Sequence, residues 1–376
     1  MLTDSVHGSS RFLLRSVLPV VLVAIGALLV PPSVTAQSCV LTRLDTPVMD
    51  AFHEDFTPTG AHQRFQASLG HRYGYSFRHF VGTDEQEERL AEHSQVVNNV
   101  NIIDLSMRYS FNSQTSLSVG LPYLTANRDG ALRNAEGHVI ARYTRSQTEG
   151  LGDVTVVAKH LLWDPATHRR SNLSLGLGIK APTGDYKQRQ TTLSLRGSQI
   201  VRSDGGTADY SVQPGDGAWG IITEASGYRI LNKTGSLALY GSGTYIFAPE
   251  THNGVARPNA NIAEEFVSAT DQYVARLGVQ IGPKSWRGFG LGLGGRIEGI
   301  PPHDAFGSSF GRRRPGYMAS VEPSLSYSWG GNSLSMSVPW AVERNRQRSV
   351  SDLIRGRHGD AAFPDYVVLT NYAVRF

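Results

Sequence analysis

Cysteine is almost missing: Cys39 is the single one among 376 residues, so a disulfide within the chain is excluded. Charge is sparse too. Asp, Glu, Lys and Arg together make up 18%, and the formal net charge is +4. So small and dispersed a surplus suits contact with an acidic surface but argues against nucleic acid. Beyond the N-terminus there is no long apolar run. Combined with 40 glycines, these shortages point away from an ordinary helical enzyme and toward an all-β protein.

The one apolar run, Val17–Val30, follows Arg11 and Arg15 and precedes the small residues Val34 and Ala36. It is short for a spanning helix and fits an export signal removed before Gln37. The expected organisation is an export signal over residues 1–36, a loose segment over 37–62 and one folded domain over 63–376. Cys39 stands close behind the cut, but Ala36-Gln37-Ser38 matches a lipid-attachment site poorly, and the thiol reads as idle. In FHEDF, His53, Glu54 and Asp55 with His62 have no standard metal-ligand spacing. No metal or cofactor is expected.

What the chain does have is alternation. In NLSLGLGIKAPTGDY, Leu173, Leu175, Leu177, Ile179 and Ala181 alternate with Asn172, Ser174, Gly176, Gly178 and Lys180. Successive strand side chains point to opposite faces, so one face is greasy and the other almost bare. RFQASLGHRYGYSFRHF, IDLSMRYSF, LSVGLPY and DVTVVAKHLL repeat the pattern, and so do residues 218–228, 236–247, 272–281, 288–300, 317–329, 333–342 and 366–376. These make about twelve strands of roughly ten residues, the length that crosses a bilayer rather than that of a soluble sheet.

The connections alternate long and short. Residues 124–150, 185–217, 248–271, 301–316 and 343–365 are long; NSQ, WDPATHRR, RILNKTG, GPKSWR and GGN are short. In an up-and-down barrel every second loop emerges on the same side, and outer-membrane barrels have short periplasmic turns and long outer loops. The expected fold is therefore all-β, a transmembrane up-and-down antiparallel β-barrel in the bacterial outer membrane. Its leucine faces meet lipid and its bare faces enclose a lumen, with aromatic girdles that include Tyr75, Phe77, Tyr123, Phe247, Trp329 and Trp340. The last strand ends in Phe376, which resembles the signal read by the barrel-assembly machinery.

Several phrases, SLSVGLPYL, GLGDVTVVAKHLL, LSLGLGIKAPTGDY, QPGDGAWG and RRPGYMASVEPSLSY, together resemble the outer-membrane β-barrel family named for a meta-pathway of phenol degradation. The similarity runs from about Phe65 to Phe376. It implies a single barrel and a role in moving small molecules, aromatic ones among them, across the outer membrane. It brings no catalytic or ligand residues to carry over.

By parity the lumen receives Arg64, Arg72, Arg78, Asp104, Arg108, Asp153, Lys159, Lys180, Glu224, Arg276, Arg296, Glu298, Glu322 and Arg375, a bias toward cations. In so narrow a pore a few charges set selectivity; alternatively they pair across the lumen and hold the wall. The inner glycines leave space, which favours a passage. In the outer loops, Arg312, Arg313, Arg314, Arg344, Arg346 and Arg348 are placed to grip the phosphates of lipopolysaccharide or an anionic solute, or are simply solvated. GDGAWG matches G-x-G-x-x-G but lacks the strand before and helix after that a dinucleotide site needs. His71 and His160 fall on the outward face with no serine beside them, so an acyl hydrolase lacks its nucleophile, and no histidine falls on the inward parity. The expected function is a narrow solute channel, not an enzyme. A non-conducting structural or surface-binding barrel is the alternative, and an outer-membrane acyl hydrolase the third reading.

Overall fold

The computed structural model describes residues 64–257 and 260–376. The expected export signal, Cys39 and the FHEDF segment lie outside them. Twelve strands close into an antiparallel barrel. They are β1 (Phe65–Val81), β2 (Val97–Ser110), β3 (Thr115–Arg133), β4 (Val139–Leu151, resumed as Val154–Leu161), β5 (Ser171–Ala181) and β6 (Gly220–Ile230). The circuit continues with β7 (Leu237–Phe247), β8 (Gln272–Ile281), β9 (Phe289–Ile300), β10 (Gly316–Trp329), β11 (Asn332–Ser337, resumed as Trp340–Arg346) and β12 (Ala361–Arg375). Each strand pairs with its neighbours in sequence, and β12 returns to β1 with Arg375 opposite Gln66.

The alternation divides inside from outside. Leu69, Leu105, Leu175, Leu177, Ile179, Leu277 and Leu291 are all exposed, Leu177 at 63%, while the chain neighbours Asp104, Lys180 and Arg276 are buried. Oily outside and polar inside is the inverse of a water-soluble barrel and matches a lipid-facing wall. Aromatic girdles mark both margins. At the short-turn end Phe65 contacts Tyr109 and Phe376, and Tyr327 stacks between Phe289 and Trp329. At the long-loop end Tyr245 packs on Phe247 and Tyr273, and Trp340 on Tyr366.

Three expectations change. The segment 124–150 is not a loop: β3 and β4 run on past the girdle as a paired hairpin, Asn127 opposite Gln147 and Leu132 opposite Ala141. Its outward residues are polar, so it lacks the apolar face by which the other strands are recognised. Within 185–217, Arg189–Arg196 and Gln199–Thr207 form a separate hairpin. In β1, register shifts on either side of Ser76 turn the parity over, as a bulge does. His79 is thereby buried, its Nδ1 2.6 Å from Asp360, although parity placed no histidine inward.

Leu177→Arg puts a guanidinium on the lipid wall. It should lower folding stability in lipid vesicles by about 2–4 kcal/mol if Leu177 lies near the bilayer midplane, measured by urea titration. An unchanged midpoint would mean that this face does not meet lipid.

Candidate functional site

The motifs GLGD, PTGD and QPGDG, far apart in the chain, meet in one knot at the outer end of the lumen. β4 breaks at Gly152-Asp153. The Asp153 carboxylate accepts from the backbone N–H groups of Gly184 and Asp216, each at 3.0 Å. The Lys180 ammonium, at the end of β5, reaches Asp153 at 3.3 Å, Asp216 at 2.6 Å and the Ala218 carbonyl at 2.6 Å. Gly184 and Gly215 touch backbone to backbone; a Cβ on Gly215 would lie 2.3 Å from the Gly184 carbonyl oxygen, so neither position accepts a side chain. The knot ties the loop after β5 to the barrel wall.

Below it lies a lumenal cavity of ≈ 130 Å³. One side is apolar: Val157, Ile222 and Ile246 form a buried cluster with Val274, and Ile102 and Leu124 approach from β2 and β3. The other carries charge in matched pairs. Arg72 Nε donates to Asp104 at 2.9 Å. Lys159 meets Glu224 at 2.7 Å, reaching across Gly176, which separates them in the register. A Cβ on Gly176 would press on Glu224 at 3.0 Å. Arg108 also lines the cavity, its Nε 3.4 Å from the Ser118 hydroxyl.

The opposite half of the lumen is filled. Arg296 forks onto Glu298 through two bonds of 3.0 and 2.9 Å. Arg276 lies 3.2 Å from Glu322, which also accepts from Ser337 Oγ at 2.7 Å. All four charged residues are buried. Gly294, one of the inner glycines expected to leave space, here joins Gly278 in seating an aromatic residue: Cβ atoms on Gly278 and Gly294 would fall 2.6 and 2.8 Å from the Tyr240 hydroxyl.

Two residues, Arg64 and Arg78, stand elsewhere than parity put them. Arg64 precedes β1 and is exposed, at the rim of the short-turn mouth. Arg375 keeps its inward parity near the same end, donating to the buried Gln66 at 3.0 Å. Arg78, beyond the Ser76 bulge, binds Glu85 and, at 2.8 Å, Asp365 on the outer side. The expected surplus of lumenal cations is offset by carboxylates, some of them, such as Asp216, from loops that parity did not count.

The outer arginines are also redistributed. Arg313, only 1% exposed, binds Asp304 at 2.5 Å. Arg314 and Arg128 converge on Asp209 at 2.6 and 3.3 Å, and Arg346 holds Asp352 at 2.8 Å. Expected at the rim, Arg313, Arg314 and Arg346 are all buried: Arg314 ties its loop to the one carrying Asp209, while Arg313 and Arg346 bind carboxylates within their own long loops. Arg312 joins Arg257, Arg355 and Arg357 around the Glu264 carboxylate, Arg344 binds Asp365 at 2.6 Å, and Arg348 is exposed. The long loops thus form a cap stitched by Arg–carboxylate pairs.

Burial alone would raise the Asp209 carboxyl, but Arg128 and Arg314 outweigh it and hold the group well below the usual carboxylate range. Asp352 is likewise lowered, with Arg346 and Ser349 overcoming burial. No cluster of metal-ligating type occurs among the described residues. On the outer wall, His160 Nδ1 lies 3.0 Å from Thr115 Oγ1, a hydroxyl neighbour that sequence reading missed, because the register and not the spacing brings it there.

A closed barrel with an oily exterior and a polar interior defines a bacterial outer-membrane β-barrel. Residues 93–213 match the model of a family described as "Putative MetA-pathway of phenol degradation", which takes in Asp153, Lys180 and Gly184 of the knot. No curated protein matches the sequence. Among solved structures, an outer-membrane channel from Pseudomonas putida F1 aligns at 11% identity over 86% of this chain and 98% of its own, with a TM-score of 0.50. The P. putida toluene transporter TodX aligns at 10% identity over 87% and 91%, with a TM-score of 0.47. At such identities the likeness is one of fold.

Lys180→Ala strands the Asp153 and Asp216 carboxylates and should cost about 3–5 kcal/mol, visible as a lowered urea midpoint of the folded barrel. The cap should respond to acid. A carboxyl whose folded pKa is depressed adds stability that is present above its unfolded value, about 3.9, and is lost as pH falls toward the folded one. Limited proteolysis of the loop carrying Asp209 should therefore be constant from pH 7 down to about 4 and accelerate below it. Acceleration already near neutrality would mean that Asp209 does not hold the cap.

Proposed function

We propose that this barrel is an outer-membrane channel for small solutes, and that the lumenal cavity is where the solute rests. The observation that carries the reading is the cavity itself, with an apolar side of Ile102, Leu124, Val157, Ile222 and Ile246 facing a paired-charge side. Its ≈ 130 Å³ is close to the roughly 150 Å³ of an apolar cavity that takes up benzene. A solute of one aromatic ring with a single polar group suits both sides. The family description, which refers to phenol degradation, agrees with that size and character. Because the lumenal cations are matched by carboxylates, strong anion selectivity is not part of the proposal. Passage requires the long loops of the cap to part.

The alternative, a non-conducting barrel, is favoured by one observation: half of the lumen is filled by Tyr240, Arg276, Arg296 and Glu322 beneath a tied cap. Uptake by proteoliposomes separates the two. The channel reading expects phenol-sized solutes to enter faster than hexoses, and Ile222→Trp, which fills the cavity, to slow them about tenfold (about 1.4 kcal/mol of barrier) without loss of the folded barrel. Absence of uptake by the unsubstituted protein would establish the non-conducting reading.

A further inference from the structure

On the outer wall, β2, β3 and β4 change character abruptly above the girdle. Up to Ile103, Tyr123 and Leu151 the outward side chains are apolar and exposed. One step further in register they become Asn101, Thr125 and Glu149, and then Asn99, Asn127 and Gln147. These six residues line a recess of ≈ 380 Å³ on the barrel's exterior. On the adjoining strand, Tyr73 stands opposite Asn101 and Tyr75 opposite Asn99, and the Tyr75 ring is 42% exposed.

The hydrogen-bonding capacity of this face is largely unspent. Asn101 touches Asn99 at 3.5 Å and His71 at 3.3 Å. The side chains of Thr125, Asn127, Gln147 and Glu149 have no hydrogen-bond partner among the described residues. Amides both donate and accept, as sugar hydroxyls do, and an exposed tyrosine offers an apolar face with a polar tip. The recess carries one carboxylate and no guanidinium or ammonium, so its chemistry suits hydroxyls rather than phosphates. Its position fixes the occupant: it begins where the lipid-facing band ends, on the long-loop side, at the level where the sugars of outer-leaflet lipopolysaccharide begin.

We propose that this recess binds the core sugars of lipopolysaccharide, anchoring the β3–β4 hairpin in the saccharide layer. The proposal is independent of whether the lumen conducts.

The test uses the folded full chain in detergent with three probes: lipopolysaccharide with a complete core, deep-rough lipopolysaccharide that keeps the phosphorylated lipid but lacks core sugars, and free core oligosaccharide. The complete-core form should bind about tenfold tighter than the deep-rough form, the worth of one or two net hydrogen bonds. Asn99→Ala/Asn127→Ala/Gln147→Ala should bind both forms equally while keeping the heat-dependent gel shift of a folded barrel. Gln147→Ala alone, at an exposed position, should lose part of the preference and guards against misfolding of the triple variant. Equal binding of both forms by the unsubstituted protein, or a preference that survives in the triple variant, overturns the proposal. So does free oligosaccharide binding as tightly as the intact lipid, which would mark a solute site, or a dimer that the triple variant dissolves, which would mean that a second copy fills the recess.

Discussion

Hydrocarbon offers a peptide group nothing to hydrogen-bond, and every other feature of this barrel follows from that constraint. An open sheet edge in lipid leaves a row of unsatisfied N–H and C=O groups, each costing several kcal/mol, so β12 must return to β1. Once closed, the strictly alternating strands have one face for acyl chains and one for the interior. Where the wall departs from regular pairing, substitutes are present. At the break in β4, Gly152 N–H donates to the Pro122 carbonyl and Val154 N–H to Thr183 Oγ1. At the break in β11, Val338 N–H donates to the Pro323 carbonyl.

Closure then dictates what happens inside. A strand that offers leucines to lipid offers its remaining side chains to a confined interior, where an isolated charge is costly and a paired one is tolerated. The charged lining accordingly resolves into pairs: Arg72 with Asp104, Lys159 with Glu224, Arg296 with Glu298 and Arg276 with Glu322. Glycine makes one of these pairs geometrically possible, by clearing the path over β5 at Gly176, and elsewhere seats Tyr240 against Gly278 and Gly294. The lumen is asymmetric as a result, packed around Tyr240, Arg276, Arg296 and Glu322 and hollow between Arg72, Val157, Lys159 and Ile222.

The same electrostatic logic extends to the outer mouth, where loops distant in sequence are joined by arginine and carboxylate. The knot at Lys180 connects both levels, since its ammonium belongs to the wall of the cavity and its partner Asp216 to a loop of the cap. A movement of that loop would be felt at the cavity, which gives the GLGD, PTGD and QPGDG motifs a common physical role.

The barrel, its orientation and its lipid face were legible in the sequence because each rests on a local regularity: period-two alternation, strand length and the rhythm of long and short connections. Asp104, Lys159, Lys180, Glu224 and Arg276 were assigned inward by parity alone, and the structure buries or half-buries all of them. Parity failed where it is not a local property. The bulge at Ser76 moved Arg78 outward and His79 inward, and the β3–β4 extension escaped notice because its outward face above the girdle turns polar at Thr125, Asn127, Gln147 and Glu149. Which cation meets which carboxylate was beyond sequence reading, as was whether Arg313, Arg314 and Arg346 face water or bury themselves. Such partners are set by strand register and by loops meeting across the mouth, and side-chain charge acts through space rather than along the chain. Alternation determined the wall; only the closed tertiary structure decided what the wall encloses.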